Sequence, residues 1–163
     1  MKILVFSDSH RALSFMRQCV DRIQPDAILH LGDHYADGEN IHFEYPGILF
    51  YQVPGNCDAY SAPPFAREML IQRIGGVNLY LTHGHIHRVK HSLSALLRDA
   101  RACGCNAVLY GHTHIPDCHR EEDGLWVLNP GAARHSGGTA GLIEIEDKKI
   151  ISCRVIDGRD LEE

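Results

Sequence analysis

The chain has 163 residues, 44% of them apolar, with a formal net charge of −5 and sixteen Lys and Arg in all. That length suits one domain over residues 1–163 whose core needs no staples, and the basic residues are scattered without the stripe that long duplex nucleic acid requires. No stretch approaches the roughly 18 consecutive apolar residues of a membrane-spanning helix; the expectation is a soluble, cytoplasmic protein with no membrane partner.

The opening run MKILVF is too short for a signal peptide and leads straight into Asp8-Ser9-His10, so residues 2–7 read as a first strand. Leu13, Met16, Cys19, Val20 and Ile23 recur at helical spacing and predict a helix over 12–24, closed by Pro25. A strand at 27–31 then gives way to a polar loop carrying Asp33, with a short helix to about 44. Residues 48–53 form the next strand, ending at Pro54-Gly55. The two apolar-alternating runs 67–74 and 76–82, joined at Gly75-Gly76, predict an antiparallel hairpin. A helix over 90–102 presents Leu93, Leu96, Leu97 and Ala100 on one face, and a strand follows at 107–110. The remainder reads as strands near 116–120, 125–129, 140–146 and 149–155, turning at Glu122-Asp123-Gly124 and Asp147-Lys148. This order fits an α/β fold, a four-layer α/β/β/α sandwich of two mixed sheets flanked by helices.

Six cysteines at irregular spacings, without a secretory signal, read as free thiols. Cys103 and Cys105 flank a glycine at a predicted helix end, and no second pair follows to complete a zinc knuckle. Twelve histidines are the unusual number.

Seven metal-type side chains fall in five short fragments: Asp8 and His10 in DSH, Asp33 in GD, Asn56 in GNCD, His83 in THGH, and His112 and His114 in GHTH. Each fragment follows a hydrophobic run, which puts the ligands at strand C-terminal ends, the edge where open α/β sheets bind ligands. Imidazole, carboxylate and amide oxygen suit hard-to-borderline divalent ions, and no thiolate is needed. In THGHIH the spacing leaves open which of His83, His85 and His87 is a ligand. His87 and His91, four apart at a predicted helix start, read as an exposed helix face.

The ordered set DxH, GD, GNxD, GH and GHTH, followed by Asn129-Pro130-Gly131, resembles the calcineurin-like metallophosphoesterases, and within them the YfcE-like phosphodiesterases. The resemblance spans nearly the whole chain. It implies two divalent ions, Mn²⁺ first, with Ni²⁺, Zn²⁺, Co²⁺ or Fe²⁺ tolerated. Asp8, His10 and His114 would hold one and Asn56, His83 and His112 the other, with Asp33 bridging them about 3.5–4 Å apart. It also implies a small phosphodiester substrate attacked in line by a metal-bridging hydroxide, without a side-chain nucleophile. Cys57 stands where broader relatives carry a histidine that protonates the leaving group, and a thiol is a weak donor; the expected substrates are therefore esters whose leaving groups need little protonation. Ala132 follows Asn129-Pro130-Gly131 where serine is common, and Arg134 reads as a solvent-facing loop residue outside the core site. Asp37 and Asp58 fit either an orienting role for ligands or turn and cap formation. The alternative function is a non-catalytic protein-interaction scaffold, since the same fold serves as a trafficking-coat subunit; a metal-storing or sensing role comes third. A homodimer is compatible with this kind of fold.

Overall fold

The computed structural model describes residues 1–162. Its first sheet runs in the order β10 (Lys149–Asp157), β9 (Thr139–Glu146), β1 (Lys2–Phe6), β2 (Ala27–His30), β3 (Leu49–Gln52). The second runs β4 (Met69–Ile74), β5 (Val77–Thr82), β6 (Ala107–Leu109), β8 (Trp126–Asn129), β7 (Asp117–Arg120). Both sheets are mixed: β1, β2 and β3 are parallel in one, β5, β6 and β8 in the other, and the outer pairs are antiparallel.

The layers follow from side-chain alternation. Ile3, Val5, Leu29, Leu79, Leu81, Leu109, Leu128, Ile143 and Ile145 meet between the sheets, while Leu4, Phe6 and Ile28 face the opposite side and pack on helices α1 (Leu13–Ile23) and α2 (Tyr35–Glu44). On the far side Tyr80, Val108 and Val127 pack on α3 (Ser94–Ala102) through Leu96 and Ala100. Central strands are thus apolar on both faces, as parallel strands covered by helices must be. The result is the α/β/β/α sandwich read from the sequence.

Three boundaries differ from that reading. Gln24, left-handed at φ 51° with its N–H on Val20 O, ends α1 one residue before Pro25. The loop after Asp33 is short, because α2 starts at Tyr35 and runs ten residues. The third helix begins at Ser94 rather than 90: His85–His87 form a 3-10 turn, Arg88 is left-handed at φ 55°, and Ser92 Oγ accepts from Ser94 N. His87 and His91 therefore do not share a helix face. His87 is buried, its Nε2 3.1 Å from Tyr80 Oη, so the exposed-face reading of that histidine is corrected.

Candidate metal centre

The parallel strands of both sheets end on one rim, and each hands its chain to a site fragment. β1 leads to Asp8, β2 to Asp33, β3 to Asn56, β5 to His83 and β6 to His112. The fragments are stitched together by backbone: Asp8 N donates to Gly32 O at 3.0 Å, and Gly111 N to His83 O at 2.9 Å. Close approach demands glycine at two points. A side chain at Gly55 would overlap Asp33 Oδ1 and its amide, and one at Gly111 would overlap Ser7 Oγ.

Backbone conformation singles out the same loops. Eleven of the described non-glycine residues have positive φ, and seven of them are Asp8, His10, Arg11, Asp33, His34, His112 and His114. Such residues cost about 1–2 kcal/mol each, and strain of this kind persists where surrounding structure fixes it, commonly at functional sites. Two carboxylates hold the loops at Arg11 and Asp33. Asp58 accepts from Asp33 N (2.8 Å), Gly55 N (2.8 Å) and Tyr35 N (3.0 Å). Asp37 accepts from Arg11 N and from Ser9 Oγ, both at 2.7 Å. Both act on the loops' backbone and hydroxyl groups, and neither hydrogen-bonds one of the seven side chains. Behind Ser9 lies His30, fully buried, with Nε2 3.0 Å from Ser9 Oγ and Nδ1 accepting from Gly32 N at 3.3 Å.

All seven predicted side chains converge. The ligand atoms of Asp8, His10 and His114 lie within 4.8 Å of one another, as do those of Asp8, Asp33 and His83. Asn56 Oδ1 is 3.1 Å from His83 Nε2, and the His112 ring centroid is 5.0 Å from that of His83.

The donor set fits cations. Leu31 O, 2.8 Å away, can only accept, so Nδ1 of His83 carries a proton, and its Nε2 faces the amide oxygen Asn56 Oδ1, a contact that holds only with a proton or a metal ion on Nε2. Two acceptors pointed at each other repel unless a positive charge joins them. Asp8 Oδ2 accepts from Ser7 Oγ (2.7 Å) and His112 N (3.1 Å), whereas Oδ1 is buried with no hydrogen-bond donor. That oxygen lies 3.0 Å from His114 Nε2 without hydrogen-bond alignment. Ligands sharing one ion at bonds of about 2.1 Å stand roughly 3.0–3.4 Å apart, and both separations have that size. His83 Nε2 to Asp33 Oδ1, at 3.6 Å, is slightly longer.

Electrostatics favour ligation as well. Burial and the neighbouring His34 hold His10 below the ordinary imidazole range, and burial, His83 and Lys90 do the same to His112. Neutral imidazole is the ligating form. Burial pushes Asp33 up, but His83 and the Cys57 N–H, 3.0 Å from Oδ1, outweigh it and keep the carboxyl below its usual range. Burial and the carboxylates of Asp33, Asp58 and Asp8 push the exposed Cys57 thiol up, so it stays protonated.

The sequence profile of the calcineurin-like phosphoesterase superfamily domain matches residues 1–148. The chain belongs to that superfamily. The probable metallophosphoesterase YsnB of Bacillus subtilis is 30% identical over 137 residues, covering 82% of this chain and 76% of its own. Among solved structures, an archaeal phosphodiesterase matches with a TM-score of 0.68 and 21% identity, over 96% of this chain and 100% of that one. Wild-type Vps29 of Entamoeba histolytica, complexed with zinc, matches at 0.70 and 21%, over 96% and 99%; at that identity both share the fold. For a calcineurin-like phosphoesterase the activity class is phosphoester hydrolysis dependent on divalent metal.

Two further residues stand beside the centre. Arg134, exposed, reaches His114 with Nη2 3.3 Å from Nδ1. His85 sits beside His83 and His112, its ring centroid 5.5 and 6.2 Å from theirs, and its Nε2 is 3.3 Å from Glu68 Oε1. Arg134 arrives through a loop whose path the sequence pattern does not encode, whereas His85 lies in the THGHIH run whose spacing left the ligand open.

Proposed function

We propose that the chain is a phosphodiesterase with a binuclear divalent-metal centre, Mn²⁺ being the first candidate among the ions that nitrogen and oxygen donors accept. The observation that carries the reading is the pair of unpaired acceptors, Asp8 Oδ1 and the His83 Nε2–Asn56 Oδ1 couple, set in one rim with Asp33 between their loops. Asp8, His10 and His114 would hold one ion, Asn56, His83 and His112 the second, and Asp33 both. Held by these residues, divalent ions would supply an acidified water and a counter-charge for the phosphate oxygens. The chain's own part is orientation. Leu31 O fixes the His83 tautomer, Asp58 and Asp37 hold the strained loops, and neutral Asn56 leaves the loaded site positive enough to attract an anion. Cys57, a protonated but weak donor, gives the leaving group little help, which favours diesters with acidic leaving groups.

The test is hydrolysis of nitrophenyl diester and monoester by metal-stripped protein, with each divalent ion restored in turn. Diester turnover restored by Mn²⁺ or Ni²⁺, and lowered in Asp33→Asn by about 10³-fold, is the expected result. Ions bound without turnover of any ester would replace the enzyme with an interaction scaffold of the same fold.

A further inference from the structure

Two thiols meet where the outermost strands of the two sheets face each other. Cys118 lies on β7, an edge of the second sheet, and Cys153 on β10, an edge of the first. Their sulfurs are 3.5 Å apart, and Cys118 Sγ donates to Cys153 O at 3.1 Å. Strand register explains the meeting. Cys118 pairs with Leu128 and Cys153 with Ile143, both of which face the space between the sheets, so each thiol points inward with its partner. Ile150 also points inward, and in a regular strand a residue three positions away would point out. The extra residue Ile151, skipped in the pairing with β9 and exposed, forms a bulge that reverses the alternation and turns Cys153 inward.

Stacked sheets usually stand about 10 Å apart, too far for a disulfide, whose Cα atoms are about 4.4–6.8 Å apart. Here β7 and β10 converge, with Cα atoms of the two strands within 8 Å. The sulfurs need about 1.5 Å of further approach to reach bonding distance. Both thiols are half-buried on edge strands, within reach of a small oxidant. As a thiolate Cys118 accepts from the Cys153 thiol, and that bond holds it below the ordinary thiol range against the opposing effect of burial. The same bond, together with burial, pushes Cys153 up. Cys118 is thus the nucleophile of the pair.

We propose that Cys118 and Cys153 form a reversible oxidation site, closing to a disulfide under hydrogen peroxide and clipping the two sheets together at this edge. The Cys118 thiolate attacks one peroxide oxygen; an S–O bond forms, the O–O bond breaks, and the departing hydroxide takes up a proton and leaves as water. The Cys153 sulfur then attacks Cys118 Sγ. The S–S bond forms, the S–O bond breaks, and the second hydroxide leaves as water with the Cys153 proton. Two thiols lose two electrons in all, and one peroxide takes them up. A dithiol reductant reverses the bond by exchange. The first sheet brings Asp8, Asp33 and Asn56 to the rim and the second brings His83 and His112, so the clip ties together the two scaffolds of the metal centre, whatever ester that centre hydrolyses.

The test treats the full-length protein with hydrogen peroxide and compares it with protein kept in dithiothreitol. Peptide mapping without reductant should recover the segments containing residues 118 and 153 joined to each other. Because the bond constrains the unfolded chain, Tm should rise by about 5 °C or more and fall back after dithiothreitol. Cys118→Ala and, separately, Cys153→Ala, each a small change at a half-buried position, should abolish both the joined peptide and the rise. Exposed Cys57 and Cys103 supply the internal comparison. Their oxidation while Cys118 and Cys153 remain thiols, a Cys118 sulfinic acid with Cys153 still free, or a joined peptide with Tm unchanged would overturn the clip.

Discussion

The two halves of the metal centre are built to different standards. The half around His83 is the more enclosed, although Asn56 at its edge is exposed: the His83 side chain is fully buried, Nδ1 is tied to Leu31 O, and Asp33 is held through its own N–H by Asp58 and at Oδ1 by Cys57 N. In the half around His10, that residue is exposed and His114 is one-third exposed, and the Arg134 guanidinium beside its Nδ1 can only donate, so it gives no support to a ring whose Nε2 binds an ion. Their supports differ too. Asp58 holds three backbone amides, whereas the first loop hangs on Asp37 through one amide, that of Arg11, and the hydroxyl of Ser9, backed by the ring of His30. The difference teaches that the rim around His83 is preformed by burial, whereas the rim around His10 is left open to solvent.

Removing the stronger support should give the largest effect. Asp58→Ala leaves three amides of the more enclosed half without their acceptor, two of them in buried bonds, and is expected to cost on the order of 4 kcal/mol in chemical denaturation. A cost under about 1 kcal/mol would show that Asp58 is not what holds Asp33 in its left-handed backbone. The support beneath the open half should respond to pH instead. Burial lowers His30 to about 4 in the folded chain, against about 6.5 unfolded. The unfolded chain therefore takes up a proton that the folded chain refuses. This contribution is complete above pH 6.5 and is lost as pH falls from 6.5 toward 4, by on the order of 3 kcal/mol. In metal-free protein His10, His87 and His112, also lowered, act in the same direction. Subtracting the stability–pH profile of His30→Gln from that of the parent isolates the His30 share; identical slopes between pH 4 and 6.5 would refute it.

The sandwich was legible because its central strands are unbroken apolar runs that end in small residues, so KILVF, AILH and VNLYLT announce both strand and rim. The seven site side chains were legible for the same reason, since each follows such a run. What the pattern does not carry is how the loops are held. Asp37 and Asp58 carry an ordinary turn or cap signal, yet their acceptor oxygens collect amides from segments 25 and 26 residues away. Positive φ at Asp8, Asp33 and His112 is invisible too, because aspartate and histidine carry no glycine-like mark. His30 read as one more strand residue, and only the folded chain sets its ring against Ser9.

Metal titration sharpens the contrast between the halves. Stripped protein should take up Mn²⁺ in two steps, the tighter one lost in His83→Gln and kept in His10→Gln, with affinities about 10–100-fold apart, the usual worth of an outer hydrogen bond such as Leu31 O provides. Two equal steps in calorimetry would mean that burial confers no advantage.

The smallest effect concerns the border between the halves, at Cys57. Its amide serves Asp33 while its raised thiol faces a groove beside the open half. Cys57→His keeps the amide and replaces a weak donor with an imidazole that titrates near neutrality. General acids contribute about 10²-fold or more when well placed, and an unoptimised histidine should recover roughly tenfold of that. The gain should appear for alkyl diesters, whose leaving groups need a proton, and not for nitrophenyl diesters, whose leaving groups depart without one. Parallel gains for both classes would trace the effect to loop geometry, whereas a gain confined to alkyl esters would identify proton donation as what the thiol withholds.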